Sequence, residues 1–251
     1  MTTTVSTAQP APAPAMQRGP NGWLVIGGVL TAATLVLGVL SAAGWLSYRT
    51  EVQHQVYEQQ STDITVDIDT GNLTLTAGDP STVTVTRRLK WAFAKPTVQE
   101  HWDGQSLQIS STCTRSWPGP GCAVDYTIEV PEGVAVRAST STGDITVRNL
   151  RGQLRLSTST GDIHGSDLAS ANVEAQTDTG DIVLRLTSPA RAVSTRTSTG
   201  DIEIVVPGQD GYRVETRTGT GDVDVLVRRD DASQRSIAAH TGTGDIDVRY
   251  G

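Results

Sequence analysis

Six copies of one five-residue phrase limit what this chain can fold into. S-T-G-D-I stands at 141–145, 159–163 and 198–202, D-T-G-D-I at 178–182, G-T-G-D-V at 219–223 and G-T-G-D-I at 242–246. The glycines, Gly143, Gly161, Gly180, Gly200, Gly221 and Gly244, are separated by 18, 19, 20, 21 and 23 residues. A period near 20 is that of a solenoid, in which each repeat is one coil stacked on the one before. The fold class expected is all-β: a parallel β-helix or β-solenoid of about seven or more coils.

The inside of the coil follows from offsets to the glycine. Seven residues before it stand Val136, Leu154, Val173, Val193, Val214 and Ile237. Five before stand Ala138, Leu156, Ala175, Thr195, Thr216 and Ala239, and both three before and one before the residue is always Thr. This period of two is a strand with an apolar start and a threonine end. After the glycine the parity changes: Ile145, Ile163, Ile182, Ile202, Val223 and Ile246 lie two residues on. The chain therefore turns at Gly-Asp into a second strand facing the same interior. Length variation falls in the loop after that strand, where insertions cost little. A seventh copy lies upstream, with Ile64, Val66 and Ile68 before Gly71, Asn72 in place of Asp, and Leu73 and Leu75 after it. The solenoid thus begins near residue 61 and runs to 251.

Before it, residues 1–22 are Thr, Ser, Ala and Pro with little charge, and a disordered tail is expected. Residues 23–46 carry no charge and have Trp23 and Trp45 at their ends. At about 1.5 Å per residue such a helix is long enough for a hydrocarbon core of about 30 Å, so a transmembrane helix is expected over 23–47. The rival reading is a cleaved signal peptide with Ser41-Ala42-Ala43 as its small-residue site. Residues 48–60 read as a polar stalk. Residues 76–133 interrupt the repeat, either as degenerate coils or as a cap closing the first end of the stack, and the repeats proper occupy 134–251. Cys113 and Cys122, the only cysteines, frame a Gly/Pro-rich loop. An even pair in an exported chain reads as a disulfide and places the C-terminal domain outside the cytoplasm.

One constellation could carry chemistry: Asp144, Asp162, Asp181, Asp201, Asp222 and Asp245, which stacking would set in a column about 4.8 Å apart. Three roles are open to it. Each carboxylate can accept backbone N–H bonds within its own turn, the column can bind calcium, or neighbouring carboxylates can act on a sugar. Equivalent corners supply no distinctive environment for catalysis. There is no G-x-S-x-G, H-E-x-x-H or P-loop. The net charge of −7, with the signs mixed within each coil, points away from a nucleic-acid binder, which needs an extended basic stripe. No catalytic residue and no cofactor is expected.

The T-G-D-I/V repeats, the lead-in Y-T-I-E-V-P-E-G-V-A-V at Tyr126–Val136 and the single apolar span together resemble a bacterial, actinobacterial-type family of membrane-anchored "putative adhesins" with β-strand repeats, largely of unknown function. The resemblance covers about 61–251. It implies a parallel β-helix-like domain outside the membrane, in some relatives beside envelope-stress signalling systems, and no agreed catalytic residues. Three functions follow as expectations: an adhesin-like structural or binding module of the cell envelope, for instance toward wall polymer; an accessory or sensor protein meeting a membrane signalling partner; and, least supported, a carbohydrate-active β-helix enzyme. The edge at Val248-Arg249-Tyr250 is expected to be open for self-association.

Overall fold

The computed structural model describes residues 29–31, 34–36, 38, 48–59, 61–113 and 121–251. The chain separates into two units, 1–43 and 44–251. In the first, the described residues are helical. Among the described residues no helix is long and apolar enough to cross a membrane. The span expected over 23–47 falls mostly outside them.

The second unit is all β. Each T-G-D repeat supplies two strands, one ending at the threonine and one starting after the aspartate. In chain order these pairs are β8 (Ala135–Thr142) and β9 (Ile145–Arg148), β10 (Leu154–Thr160) and β11 (Ile163–Leu168), and β12 (Asn172–Thr179) and β13 (Ile182–Leu186). They continue with β14 (Ala192–Thr199) and β15 (Ile202–Val206), β16 (Arg213–Thr220) and β17 (Val223–Val225), and β18 (Ser236–Thr243) and β19 (Ile246–Tyr250). The upstream copy forms β2 (Asp63–Thr70) and β3 (Leu73–Ala77). All these neighbours pair in parallel, with identical offsets from the glycine in register: Leu154 lies opposite Val136 and Val173, and Ile163 opposite Ile145 and Ile182.

The stack does not follow the sequence at either end. One sheet runs β16-β18-β14-β12-β10-β8-β2-β6-β5 and the other β1-β4-β7-β3-β9-β11-β13-β15-β19-β17. The coil 236–250 is therefore inserted between 192–206 and 213–225. Composition supplies a reason. Ile237, Ala239, Ile246 and Val248 are all but fully buried, whereas Val214, Thr216 and Val225 are half-buried and Val223 is 42% exposed. The more apolar repeat takes the inner place and the threonine-rich one the end. The ten residues between Val225 and Ser236, which read as a simple surface insertion, carry the chain back over a coil. The expected open edge at 248–250 is thus corrected: β19 is paired on both sides, and the free edge belongs to β16 and β17. The single column of inward residues likewise runs Val193, Ile237, Val214.

The insert 76–133 is both of the things expected of it. β6 (Ser106–Thr112) and β7 (Ala123–Val130) form a further coil parallel to β2 and β3, so 61–77 also lies between later segments. β4 (Val83–Trp91) pairs antiparallel with β7, and β5 (Thr97–Asp103) antiparallel with β6, closing that end. The stalk expected over 48–60 is corrected. Residues Arg49–Tyr57 are a strand, β1, antiparallel to β4 in the same sheet. Its polar alternation reads as solvated coil in sequence because a cap strand buries only part of one face. Between the cap strands Tyr57 packs edge-on to Trp102 at 5.4 Å and donates to Glu100, which also pairs with Arg87. The Tyr57 hydroxyl is pushed up by burial and by its bond to Glu100. Trp91 packs against the core, Phe93 is 53% exposed, and Trp117 lies outside the described residues.

Cys113 and Cys122 are bridged. They stand where β6 ends and β7 begins, which is the corner that Gly71-Asn72 turns in its coil and Gly-Asp in the six repeats. The bridge therefore ties β6 to β7 at that corner.

Candidate functional site

The repeated corner is the most ordered polar feature of the molecule. Each glycine there has φ between 135° and 144°, a conformation that side chains rarely adopt. A Cβ on Gly161 would stand 2.1 Å from the carbonyl oxygen of Gly143, and the same overlap recurs up the stack. Glycine is thus required twice, for its φ and for the close approach of the coil beneath.

The aspartates form a ladder between coils. Oδ1 of Asp144 accepts the backbone N–H of Asp162 at 2.9 Å, and Oδ1 of Asp162, Asp181, Asp201 and Asp245 accepts that of Asp181, Asp201, Asp245 and Asp222, each at 2.8 Å. Asn72 takes the same part for Asp144 at 3.0 Å. The expectation that each carboxylate serves its own turn is therefore corrected. It serves the next coil, because the flat Gly-Asp corner leaves that N–H pointing along the stack. The ladder extends to a residue the repeat did not reveal: Asp125 accepts the N–H of Asn72 at 3.2 Å. Asp125 has no glycine before it, and only its register opposite Asn72 could have found it.

Beside this ladder runs a second one of threonines. The hydroxyl of Thr158 donates to the carbonyl of Gly143 at 3.0 Å, and Thr177, Thr197, Thr241 and Thr218 repeat the bond. These threonines, three before the glycine, are buried except in the terminal coil. Those one before it, expected inside, are exposed, because the strand bends into the corner before reaching them. At the free end the carboxylate of Asp222 accepts no N–H from any described residue.

Like-charged carboxylates at this spacing repel, and each N–H bond relieves one oxygen. The ladder thus explains the repeated Asp structurally. Among the described residues no group of three or more His, Cys, Asp or Glu side chains is placed to hold a metal ion.

The outer faces carry the remaining polar groups. On one sheet a shallow groove of about 380 Å³ crosses Gly165, lined by Thr146, Arg148, His164, Ser166, Arg185 and Glu203. Leu168 fills the space a side chain at 165 would take, its Cδ1 lying 2.7 Å from where a Cβ would be. Some exposed arginines meet a carboxylate one coil away, as Arg155 meets Glu174 at 2.7 Å and Arg185 meets Glu203 at 2.9 Å. On the other sheet Arg196, His240 and Arg217 stand in one outward row. All three lie four residues before their glycines, an offset readable in the sequence but hidden there among the Ser and Gln of the earlier repeats.

The family model described as Toastrack DUF4097 matches residues 61–250. No curated protein matches the chain. Solved structures are similar to the chain at low identity. A "putative cell adhesion protein" from Clostridium sporogenes is 11% identical with a TM-score of 0.49, over 81% of this chain and 100% of the other. A "putative adhesin" from Bacteroides fragilis is 11% identical with a TM-score of 0.43, over 80% and 97%. A "putative lipid binding protein" from Parabacteroides distasonis is 10% identical with a TM-score of 0.38, over 81% and 97%.

Proposed function

The chain belongs to the Toastrack DUF4097 family, and from that premise we propose a non-enzymatic, adhesin-like binding module of the cell envelope. It is held at the membrane by the apolar run 23–46, with the β-solenoid on the extracytoplasmic side. One observation carries the reading. The acidic and hydroxyl groups most often repeated are spent on joining coil to coil, so what the molecule offers outward is a long, regular pair of sheet faces. Regular faces suit an extended, repetitive ligand such as a wall polymer, whereas a catalytic site departs from local regularity. The Cys113–Cys122 bridge supports an oxidising compartment.

The test uses the full-length protein in mild detergent, incubated with purified cell-wall fractions. Saturable co-sedimentation with unaltered polymer is the expected result. Release of sugar from the polymer, abolished by changing a single Asp of the ladder, overturns the non-enzymatic assignment. For topology, protease shaving of intact cells should release fragments of the solenoid, and full protection of it would contradict the extracytoplasmic placement.

A second reading, a protein partner such as a membrane signalling protein or another copy of this chain, is favoured by the free edge of β16 and β17. There Val223 is 42% and Leu226 61% exposed, beside an Asp222 carboxylate that accepts no N–H from any described residue. Added strands dock on edges of this kind. Concentration-dependent association that Val223→Lys abolishes would favour it.

A further inference from the structure

We propose that Arg196, His240 and Arg217 form a binding site for the phosphate groups of a linear phosphodiester polymer. This deepens the envelope-binding reading and rests on it.

Three strands bring the residues together. Arg196 of β14 lies opposite His240 of β18, and His240 lies opposite Arg217 of β16. Thr195 and Thr197 beside Arg196 and Ala239 and Thr241 beside His240 are buried, and Thr216 and Thr218 beside Arg217 are half-buried, so all three point outward. Strand spacing puts the two guanidinium stems about 10 Å apart with the imidazole between them. At other places on the solenoid an arginine meets a carboxylate one coil away: Glu174 for Arg155, Glu203 for both Arg185 and Arg249. None of the three residues of this row makes an ion pair or side-chain hydrogen bond with another described residue. The acids on the same face are Glu215 on the Arg217 strand and, beyond Gln176, Glu174 and Asp178.

The flanks leave the row accessible. On one side the outward residues are Ser194, Ala238 and Glu215, on the other Ser198, Gly242 and Gly219. The last two repeats are those with glycine at that place. A Cβ there would lie 2.6 Å from a carbonyl oxygen of the adjacent coil: that of Ser198 for Gly242, and that of Gly242 for Gly219. The result is a row of two guanidiniums and an imidazole, none of them in an ion pair with a described residue, running along the stack axis with Glu215 at one flank. The guanidinium fork fits phosphate oxygens bidentately, and the imidazole adds an N–H donor between the forks. A linear polymer can lie along such a stripe. The flanks offer Ser, Ala, Gly and Glu215 and no large apolar side chain to enter a bilayer, so polymer is favoured over an anionic membrane.

The experiment titrates sodium polyphosphate into the full-length protein in mild detergent, by calorimetry at low and moderate salt. Saturable binding that weakens with salt is expected. The double variant Arg196→Gln/Arg217→Gln should bind roughly tenfold or more weakly, with an unchanged or raised melting temperature because a repulsion is removed. Arg137→Gln/Arg148→Gln, removing two other exposed arginines without ion pairs, should bind as the parent does. Equal loss in both double variants, or none in the first, overturns the site. Tighter binding to phosphatidylglycerol vesicles than to polyphosphate overturns the polymer assignment in favour of a membrane. Cell-wall co-sedimentation that persists in Arg196→Gln/Arg217→Gln would refute this site while leaving the envelope-binding reading standing.

Discussion

Replacing Gly200 by alanine tests the corner on which the stack is built. Two effects add. The residue sits at φ 143°, where a side chain costs about 1–3 kcal/mol. Its Cβ would also stand 2.0 Å from the carbonyl oxygen of Gly180 and 2.9 Å from Oδ1 of Asp181. The nearer atom is backbone and cannot rotate away, so the coils must part. Four hydrogen bonds cross that junction: Asp201 N–H to Asp181 at 2.8 Å, Thr197 hydroxyl to Gly180 at 3.1 Å, Gly180 N–H to Thr199 at 2.9 Å and Ile182 N–H to Asp201 at 2.9 Å. Losing two of them at about 1 kcal/mol each brings the total to about 3–5 kcal/mol. For a domain of this size that is a fall of roughly 6–20 °C in melting temperature. Gly208→Ala is the control. Gly208 also has positive φ, 75°, but nothing lies within 4 Å of its Cβ, so only the backbone term of about 1–2 kcal/mol applies. Thermal melts followed by circular dichroism compare the two. If Gly200→Ala loses no more than Gly208→Ala, the close approach of successive corners is not what holds the coils together.

Other outcomes follow from the same structure. Val193→Asp buries an uncompensated charge at a site 1% exposed and should abolish cooperative unfolding of the middle coils, while Val214→Asp, in the half-buried end coil, should be tolerated far better; urea melts of the two decide. Asp181→Asn keeps the Oδ1 acceptor, as Asn72 does naturally, and should be neutral or stabilising, whereas Asp181→Ala should lose about 0.5–1.5 kcal/mol. Reducing the Cys113–Cys122 bridge should remove roughly 2–3 kcal/mol in the chain-entropy account, read as a lower urea midpoint in reductant; an unchanged midpoint would contradict it. Burial pushes the Tyr126 hydroxyl up to about 12, against about 10 unfolded. The folded state therefore holds the proton more tightly, and the contribution is complete below pH 10 and lost as pH rises toward 12, by about 1.4 kcal/mol per unit. Tyr126→Phe should flatten stability across that window.

The repeat made the coil legible because a fixed offset from glycine encodes both strand phase and corner. Val136, Leu154 and Ile163 are buried where the period of two places them. The offset says nothing about which coil neighbours which, since every repeat satisfies the same register with every other. Spatial order therefore depended on small differences, such as Ala239 against Thr216, that carry no periodic signal. The strand Arg49–Tyr57 was illegible for a different reason: its partner strand, Val83–Trp91, lies within the non-repeating insert, and antiparallel pairing to it leaves no mark on local composition. The aspartate ladder was half legible. Its column was evident, but the direction of its bonds depends on the orientation of a peptide N–H.

The displaced coil bears on synthesis. Residues 213–225 leave the ribosome before 236–250, and at that moment the edge of β14 is bare. Val214 and Thr216 match Val193 and Thr195 in register as well as Ile237 and Ala239 do. The nascent chain thus meets a plausible wrong neighbour first. Vectorial growth at one end does not yield this order; the coil 236–250 enters only if 213–225 is held off that edge or is evicted from it.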